Sequence, residues 1–413
     1  MKNQLNSSKA FLETWIKHFS NDHNLCKFEV FPNINFVETK KNLMYQMLGG
    51  TMAPAVYYNL DPVKSQDLIK KVMILYNIPS YYEIAPQNIP LDNRFKCKVV
   101  KEYQGYLCNL KNIGNVESYL KEKLSAKALK NFKTRKKRLE KCFDISYVSH
   151  DQNIDRQTFN LIFSKFKILL KKKFDEKKEY FESLKPKIWD FNHELVYNLL
   201  KEKSATLDVV YNGNNPISIR LIYHFGKISH AITPVYDRNY AKFGLGTVGL
   251  IKSIEYCLDR GSEKFDLGKG EYGYKKNWTD EIYQHEHHIY YDNSSISCKI
   301  LMFGKSLKFR LIQSLRNVGF NNLYHAIRFY AIVGIKKKDK KVSLSDIEDI
   351  VEINLEGNEK VDFLDSKNAP LMKGVVEFIY SSQEHYSKIS IFKSKSNRRY
   401  YIRGERKQVC LTL

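Results

Sequence analysis

The stretch from Lys227 to Trp278 reads KISHAITPVYDRNYAKFGLGTVGLIKSIEYCLDRGSEKFDLGKGEYGYKKNW, and its reading decides the fold. KISHAITPV is an extended apolar run, and Pro234 requires the strand to splay or end there, because proline cannot donate to a central ladder. Gly244 and Gly246 then precede TVGLIKSIEYCLDR, where Val248, Ile251, Ile254, Tyr256 and Leu258 fall near helical spacing. Gly261 is the expected stop, with Arg260 in the last turn. EKFDLG reads as a second short strand, with Asp266 among apolar neighbours. The unit is a strand, a glycine turn, a helix, a strand and a polar loop.

Working outward, the preceding segment TLDVVYNGNNPISIRLIYHFGKISHAITPVY predicts three antiparallel strands, turning at Asn212-Gly213 and at Gly226-Lys227. Further upstream, residues 115–141 carry one strong helical signal. Within 121–141 there are ten Lys or Arg against two Glu, and Leu124, Ala128, Phe132 and Leu139 can face a core while the basic side chains project. That face suits a solvated surface or contact with anionic lipid or a charged glycan precursor. FDISYV (143–148) predicts a strand, and residues 155–180 and 190–203 predict helices. The first 114 residues read as a mixed α/β region: a helix over 8–20, a helix over 63–77, and strands in SYYEIAP and FKCKVVKEYQGYLCNL. Downstream, IYQHEHHIYYD predicts a strand and 303–317 a basic amphipathic helix, with NLYHAIRFYAIVGI continuing as helix. KKKDKK (336–341) reads as a linker. Residues 342–413, with VEINLE, VDFLD, VVEFIY, KISIFK and RRYYIR, read as a small β-rich appendage.

The 413 residues are enough for two or three domains, and 43% hydrophobic content excludes a disordered chain. No apolar run reaches the roughly 18 residues of a spanning helix, and MKNQLNSSKAFLETWIKHF lacks a signal-peptide core. The seven scattered cysteines form no CxxC pair and read as reduced thiols of a cytoplasmic protein, which could sit peripherally at the inner face of a membrane. The formal charge of +23 comes mostly from lysine rather than arginine, so it favours an anionic cofactor or membrane-associated substrate over nucleic-acid readout.

For chemistry, glycines directly before a helix let backbone N–H groups converge where the helix dipole is positive, which suits a phosphate or an ordinary tight turn. No P-loop lysine follows. Gly244, Gly246 and Gly249 do not open a dinucleotide-binding unit, because the strands before them are hairpin-linked. Asp266 is a candidate base and Glu271 a second. Lys275 is a candidate for steadying an anion or oxyanion, and Tyr274 a candidate proton donor or packing residue. His230 is a further candidate base. The run His285-Glu286-His287-His288 is too compact for a zinc-binding H-E-x-x-H, and on a strand its alternate residues point apart, so no metal is expected. Cys257, mid-helix, reads as buried and inert.

Tyr236, Asp237, Tyr240, Gly244, Gly246 and Thr247, then Phe265-Asp266-Leu267-Gly268-Lys269-Gly270, Tyr274-Lys275 and Trp278, carry a resemblance. The sequence resembles the acetyltransferase-like family associated with cellulose and extracellular polysaccharide biosynthesis, within the GNAT superfamily. The resemblance is fullest over 205–280, looser over about 10–204, and fades after about 330. It implies an α/β (α+β) fold of tandem GNAT-like mixed-sheet domains: a degenerate one over 1–114, an acyltransferase domain over 115–335, and the appendage over 342–413. It also implies acyl-CoA (acetyl-CoA or longer) as co-substrate, and transfer to an amine on a small-molecule or lipid-linked sugar acceptor. The pyrophosphate would lie over Phe243, Gly244, Leu245, Gly246 and Thr247, and the pantetheine arm against Ile232 and Thr233. The superfamily signature sets Arg or Gln three residues before the first glycine, where this chain has Ala241, with Arg238 and Lys242 nearby. Similar twin-fold enzymes of peptidoglycan-peptide synthesis use aminoacyl-tRNA instead.

Overall fold

The computed structural model describes residues 5–20, 24–84, 93–270, 273–333, 347–349, 358–363, 368, 370–394 and 399–412. Glu271, the 336–341 run and VEINLE lie outside the described residues.

Helix α1 (Lys9–Phe19) opens the chain, capped by the Ser8 hydroxyl accepting from the Phe11 amide, and buries Phe11 and Trp15. Strands β1 (Leu25–Lys27), β2 (Asn35–Lys40), β3 (Met44–Met47), β4 (Val72–Pro79) and β5 (Phe95–Asn109) follow. Two sequence expectations change here. Residues 63–77 are not a helix: a short 3-10 segment over Pro62–Leu68 leads into β4, all eight residues of which are buried. A continuous apolar run such as VMILYNI has no 3.6-residue period, and burial on both faces of a sheet satisfies it equally well. SYYEIAP is not a strand over its described part, because Ser80–Tyr82 make a 3-10 turn.

The basic helical stretch is two helices, α2 (Val116–Lys123) and α3 (Ala126–Cys142). They are divided at Ser125, whose hydroxyl caps the second. Leu139 is buried and Phe132 and Leu124 are part-buried, while Lys127, Lys130 and Arg135 stay exposed. Strand β6 (Ile145–His150) precedes α4 (Arg156–Lys177) and α5 (Pro186–Lys201). The second helix starts four residues earlier than predicted, at Pro186, whose fixed φ suits a helix's first turn. The three predicted strands are β7 (Ala205–Asn212), β8 (Asn215–Phe225) and β9 (Ile228–Tyr236), with Gly213 and Gly226 at positive φ in the turns. Helix α6 (Leu245–Asp259), strand β10 (Lys264–Lys269), the single turn α7 (Gly273–Lys276) and strand β11 (Glu281–Asp292) complete the central stretch. Helices α8 (Ile296–Asn317) and α9 (Phe320–Val333) follow.

These strands form one eleven-stranded mixed sheet in the order β1-β2-β3-β4-β11-β5-β10-β9-β8-β7-β6. Late strand β11 lies between early strands β4 and β5, antiparallel to both, and β5 in turn pairs with β10. Residues nearly 200 apart in sequence therefore share one surface. Helices α1, α4 and α5 cover one face through Phe11, Phe159, Phe163, Trp189 and Leu199, and α6 covers the other through Leu250, Ile251 and Ile254 against Phe265 and Ile222. Each such side chain contributes about 1.5–3 kcal/mol of burial.

A second, five-stranded sheet occupies the C-terminal region: β12 (Ile347–Asp349), β13 (Glu359–Lys360), β14 (Ser390–Lys393), β15 (Arg399–Arg403) and β16 (Gln408–Thr412), with all pairings antiparallel. VVEFIY is a correction, since it belongs to helix α10 (Met372–Ser382). Val375, Val376, Phe378 and Ile379 are buried together with Tyr240, Phe243 and Val248, so this appendage packs against the residues around the glycine turn.

Candidate active site

Strands β9 and β10 run parallel and pair only at Lys264–Ile228, Phe265–Ser229 and Asp266–His230. Beyond that last pair they part. Ala231 to Pro234 are half-buried rather than sealed, while their other edge stays on β8. The β8–β9 register shifts near Pro234, where the ring removes a ladder donor. Ile232 and Thr233 therefore line the opening between the strands.

At one end of that opening, Gly244 adopts φ 75°, ψ 26° and starts α6 with no side-chain cap. The first amides of a helix have no intrahelical acceptor, so this end offers donors and partial positive charge. A Cβ on Gly246 would come within 2.9 Å of the Tyr236 ring, so a larger residue there must displace that ring. The turn itself is built by Asp237, whose carboxylate accepts from the Asn239 amide, and by the buried Tyr240 and Phe243. The basic residues beside it are already engaged: Arg238 pairs with Glu176 at 2.7 Å and Lys242 with Glu377 of α10 at 3.3 Å. Ala241 offers no charge. The stem of Arg135, from the basic helix α3, lies beside Gly244.

At the other end sits Asp266, 2% exposed. Its Oδ2 accepts from the Tyr283 hydroxyl at 2.6 Å and the Tyr81 hydroxyl at 3.0 Å, and lies 3.3 Å from His230 Nδ1. Its Oδ1 accepts from the Gly268 amide at 2.7 Å. Burial alone would raise this carboxyl. The hydrogen bond and charge of His230, with His285 and Tyr283, outweigh it and hold the group at about 2. Asp266 is thus an ionised carboxylate whose oxygens are taken up by donors. In a neutral His230 ring whose Nδ1–H faces this carboxylate, Nε2 carries the lone pair, and that atom is buried without a partner. Tyr283 gives its one proton to Asp266, so His285 Nε2, 2.9 Å away, donates to the Tyr283 oxygen. His285 Nδ1 is then a second buried, unpartnered acceptor. Burial, with the charge of Lys269, lowers His285 to about 3, so this ring stays neutral.

Lys275 is 4% exposed, and its ammonium donates to the carbonyls of Gly268 at 3.0 Å and Lys269 at 2.7 Å. Burial lowers it to about 8, with Asp266 opposing and Arg220 adding to the shift. Tyr274 is 43% exposed. Trp278 is buried, and its carbonyl accepts from Tyr119. Lys269 is held by Glu102 and Asn77, and Glu102 also meets His287 and Arg316 of α8. The four residues 285–288 diverge: His285 goes to Tyr283, His287 to Glu102, and His288 to Tyr58 and Glu286. Among the described residues no group of three His, Cys, Asp or Glu is arranged to hold a metal ion. Cys257 is buried, and burial raises its thiol well above the usual range. A cavity of about 170 Å³, lined by Asp208, Arg220, Ser149 and Ser218 among others, lies between β6, β7, β8 and α6.

Sequence reasoning singled out Asp266 and His230, and the structure brings them together. It missed Tyr81, from the 3-10 turn after β4, and Tyr283, His285 and Glu102, which arrive from strands β11 and β5. One signal was present: Gly105 interrupts β5, and a glycine inside a strand marks a close approach. A Cβ there would overlap the Tyr283 ring, which crosses β5 at that point to reach Asp266.

Residues 126–276 match the acetyltransferase (GNAT) domain family. This span runs from α3 to α7 and contains the strand opening, the glycine turn, Asp266 and His230. No curated protein matches the chain. Among solved structures, FemX is similar at 11% identity, with 71% of this chain and 94% of that one covered and a TM-score of 0.48. L-PGS from Bacillus licheniformis is similar at 11% identity, with 76% and 99% covered and a TM-score of 0.43. A tandem GNAT protein from the clavulanic acid biosynthesis pathway is similar at 6% identity, with 62% and 77% covered and a TM-score of 0.32. The chain has a mixed α/β fold, GNAT-like over 126–276, with a small antiparallel C-terminal sheet.

Proposed function

We propose that the chain is an acyl-CoA-dependent N-acyltransferase. One observation carries this reading: the β9–β10 ladder stops at the Asp266–His230 pair, so the strands open between an uncapped helix start and a buried carboxylate–imidazole pair. In this reading the opening takes the pantetheine arm along Ile232 and Thr233. The amides of Leu245 and Gly246, with Arg135 beside them, meet the pyrophosphate, while the Thr247 amide already donates to the Gly244 carbonyl at 2.9 Å. Arg238 and Lys242 would contribute only by releasing Glu176 and Glu377.

The acceptor amine must lose a proton as its nitrogen bonds to the thioester carbonyl carbon and the carbon–sulfur bond breaks. His230 Nε2, with its free lone pair, is the group to accept that proton, and Asp266 holds the ring in the required tautomer. A carboxylate near 2 is too weak a base to be poised for this step, so Asp266 is a positioning residue in the proposal. The two unpartnered imidazole nitrogens of His230 and His285 want donors, which an amine supplies. Tyr274 is the candidate to return a proton to the departing sulfur. Lys275 keeps the end of β10 in place through its two carbonyl contacts. An amino sugar or glycan precursor is the proposed acceptor class. Calorimetry with coenzyme A, acetyl-CoA and longer acyl-CoAs tests the reading: saturable binding supports it, and binding of none of them removes it. Binding of aminoacyl-tRNA in their place would turn the same opening to that donor.

A further inference from the structure

Helix α8 is apolar on two sides. Its inner side, with Cys298, Leu301, Met302 and Phe309, packs on the main core. Its outer side presents Ile296, Ile300, Phe303, Leu307, Leu311 and Leu315 to solvent, with Ile300 and Phe303 each 66% exposed. Steps of three and four residues put these six in one stripe, about 120° wide at 3.6 residues per turn. Helix α9 continues the pattern after Gly319, with Leu323, Ile327 and Ile332 each at least 52% exposed. An exposed apolar surface of this extent marks an interaction face.

Charge decides the occupant. Residues 296–333 contain no Asp or Glu. Lys299, Lys308 and Arg310 are exposed, and at about 100° per residue Lys299 and Arg310 border one edge of the stripe and Lys308 the other. A symmetric contact with a second copy would bring these cations against their own counterparts with no carboxylate of 296–333 to offset them. An anionic lipid surface instead meets the whole arrangement, taking the apolar stripe below the headgroups and the flanking cations at their level. Among the described residues no helix is long and apolar enough to cross a membrane, and the inner side of α8 is committed to the protein core.

We propose that α8 and α9 dock the protein flat on an anionic bilayer, with the Phe303–Leu307–Leu311 stripe in the interface. The docked helix lies close to the site, since Arg316 near its end pairs with Glu102, which in turn holds Lys269 at the end of β10.

Flotation of the full chain with vesicles tests this. Vesicles of phosphatidylcholine with a quarter phosphatidylglycerol are expected to carry the protein up the gradient. Pure phosphatidylcholine should carry much less, and added salt should weaken both the binding and the difference. F303E/L307E, two exposed positions whose change leaves the core intact, is expected to lower partitioning by about tenfold or more. K299Q/K308Q/R310Q is expected to lower it only for the anionic vesicles. Absence of wild-type binding to anionic vesicles overturns the proposal, as does F303E/L307E binding like wild type, which would move the contact to the basic face of α3. A wild-type dimer in analytical ultracentrifugation that F303E/L307E dissociates, without vesicle binding, assigns the face to a second copy and also overturns it.

Discussion

Gly105 and Tyr283 face each other across β5 and β11, and a methyl group on Gly105 would occupy the space of the Tyr283 ring. This gap lets a tyrosine from one strand pass over the next and donate to Asp266 on the third. Gly105→Ala is expected to destabilise the protein by about 1–3 kcal/mol through overpacking. Urea unfolding monitored by circular dichroism checks it. A midpoint equal to wild type would mean that the ring has room to move and that the Asp266 network does not depend on Gly105.

His230→Gln should lower turnover by about a hundredfold or more, the usual size of a lost general base, while coenzyme A affinity changes little. Separate measurement of kcat and of binding by calorimetry distinguishes the two. Equal loss of both would make His230 a structural residue of the opening.

Asp266 links the site to acid stability. Its folded-state carboxyl is depressed to about 2, below the unfolded range of about 3.9, so the stability it confers is fully present above pH 4. That stability is lost as pH falls from about 4 toward 2, and the shift corresponds to roughly 2 kcal/mol. Asp266→Asn should be less stable than wild type at pH 6 and show a shallower further loss on acidification. Unfolding curves at pH 6, 4 and 3 test this, and parallel profiles for the two proteins would contradict it. Turnover should also fall, since asparagine cannot stabilise the His230 imidazolium.

Lys173 and Lys275 act at the alkaline end of the range. Burial lowers both to about 8, the first beside Lys177 and Arg220 and the second with Arg220 adding to the shift. The unfolded chain holds these protons up to about pH 10.4, so between pH 8 and 10 it binds more protons than the folded one. The sign follows: these groups make stability rise with pH across that window. Lys173→Met, which gives up a hydrogen bond to the Pro234 carbonyl, should flatten the rise. An unchanged slope in unfolding free energy from pH 7.5 to 9.5 would refute it.

Gly246→Val places a branched side chain against the Tyr236 ring at the start of α6. Coenzyme A affinity is expected to fall by about tenfold or more, with little loss of fold because the Tyr236 ring is partly exposed and can swing away. Undiminished affinity in calorimetry would place the anion elsewhere.

Local chemistry made much of the central unit legible. Period-two strands, hairpin turns needing positive φ at Gly213 and Gly226, and an apolar period of 3.6 through Val248, Ile251 and Ile254 depend only on near neighbours, and all are realised. The same local logic misread 63–77 and VVEFIY. A short apolar run carries no period of its own, and its burial partners choose between strand and helix. The site is divided in the same way. Asp266 and His230 stand out in sequence because each is a polar residue within an apolar strand of one continuous unit. Tyr81, Tyr283 and His285 do not, because only the insertion of β11 between β4 and β5 brings β11 and the turn after β4 to that carboxylate; Glu102, on β5, reaches Lys269 instead. Sequence by itself determined the strand–glycine turn–helix–strand unit. Tertiary structure alone decided that Asp266 is a saturated, ionised anchor and that His230 keeps a free nitrogen, since protonation and hydrogen bonding depend on atoms that long-range sheet pairing brings within about 3 Å.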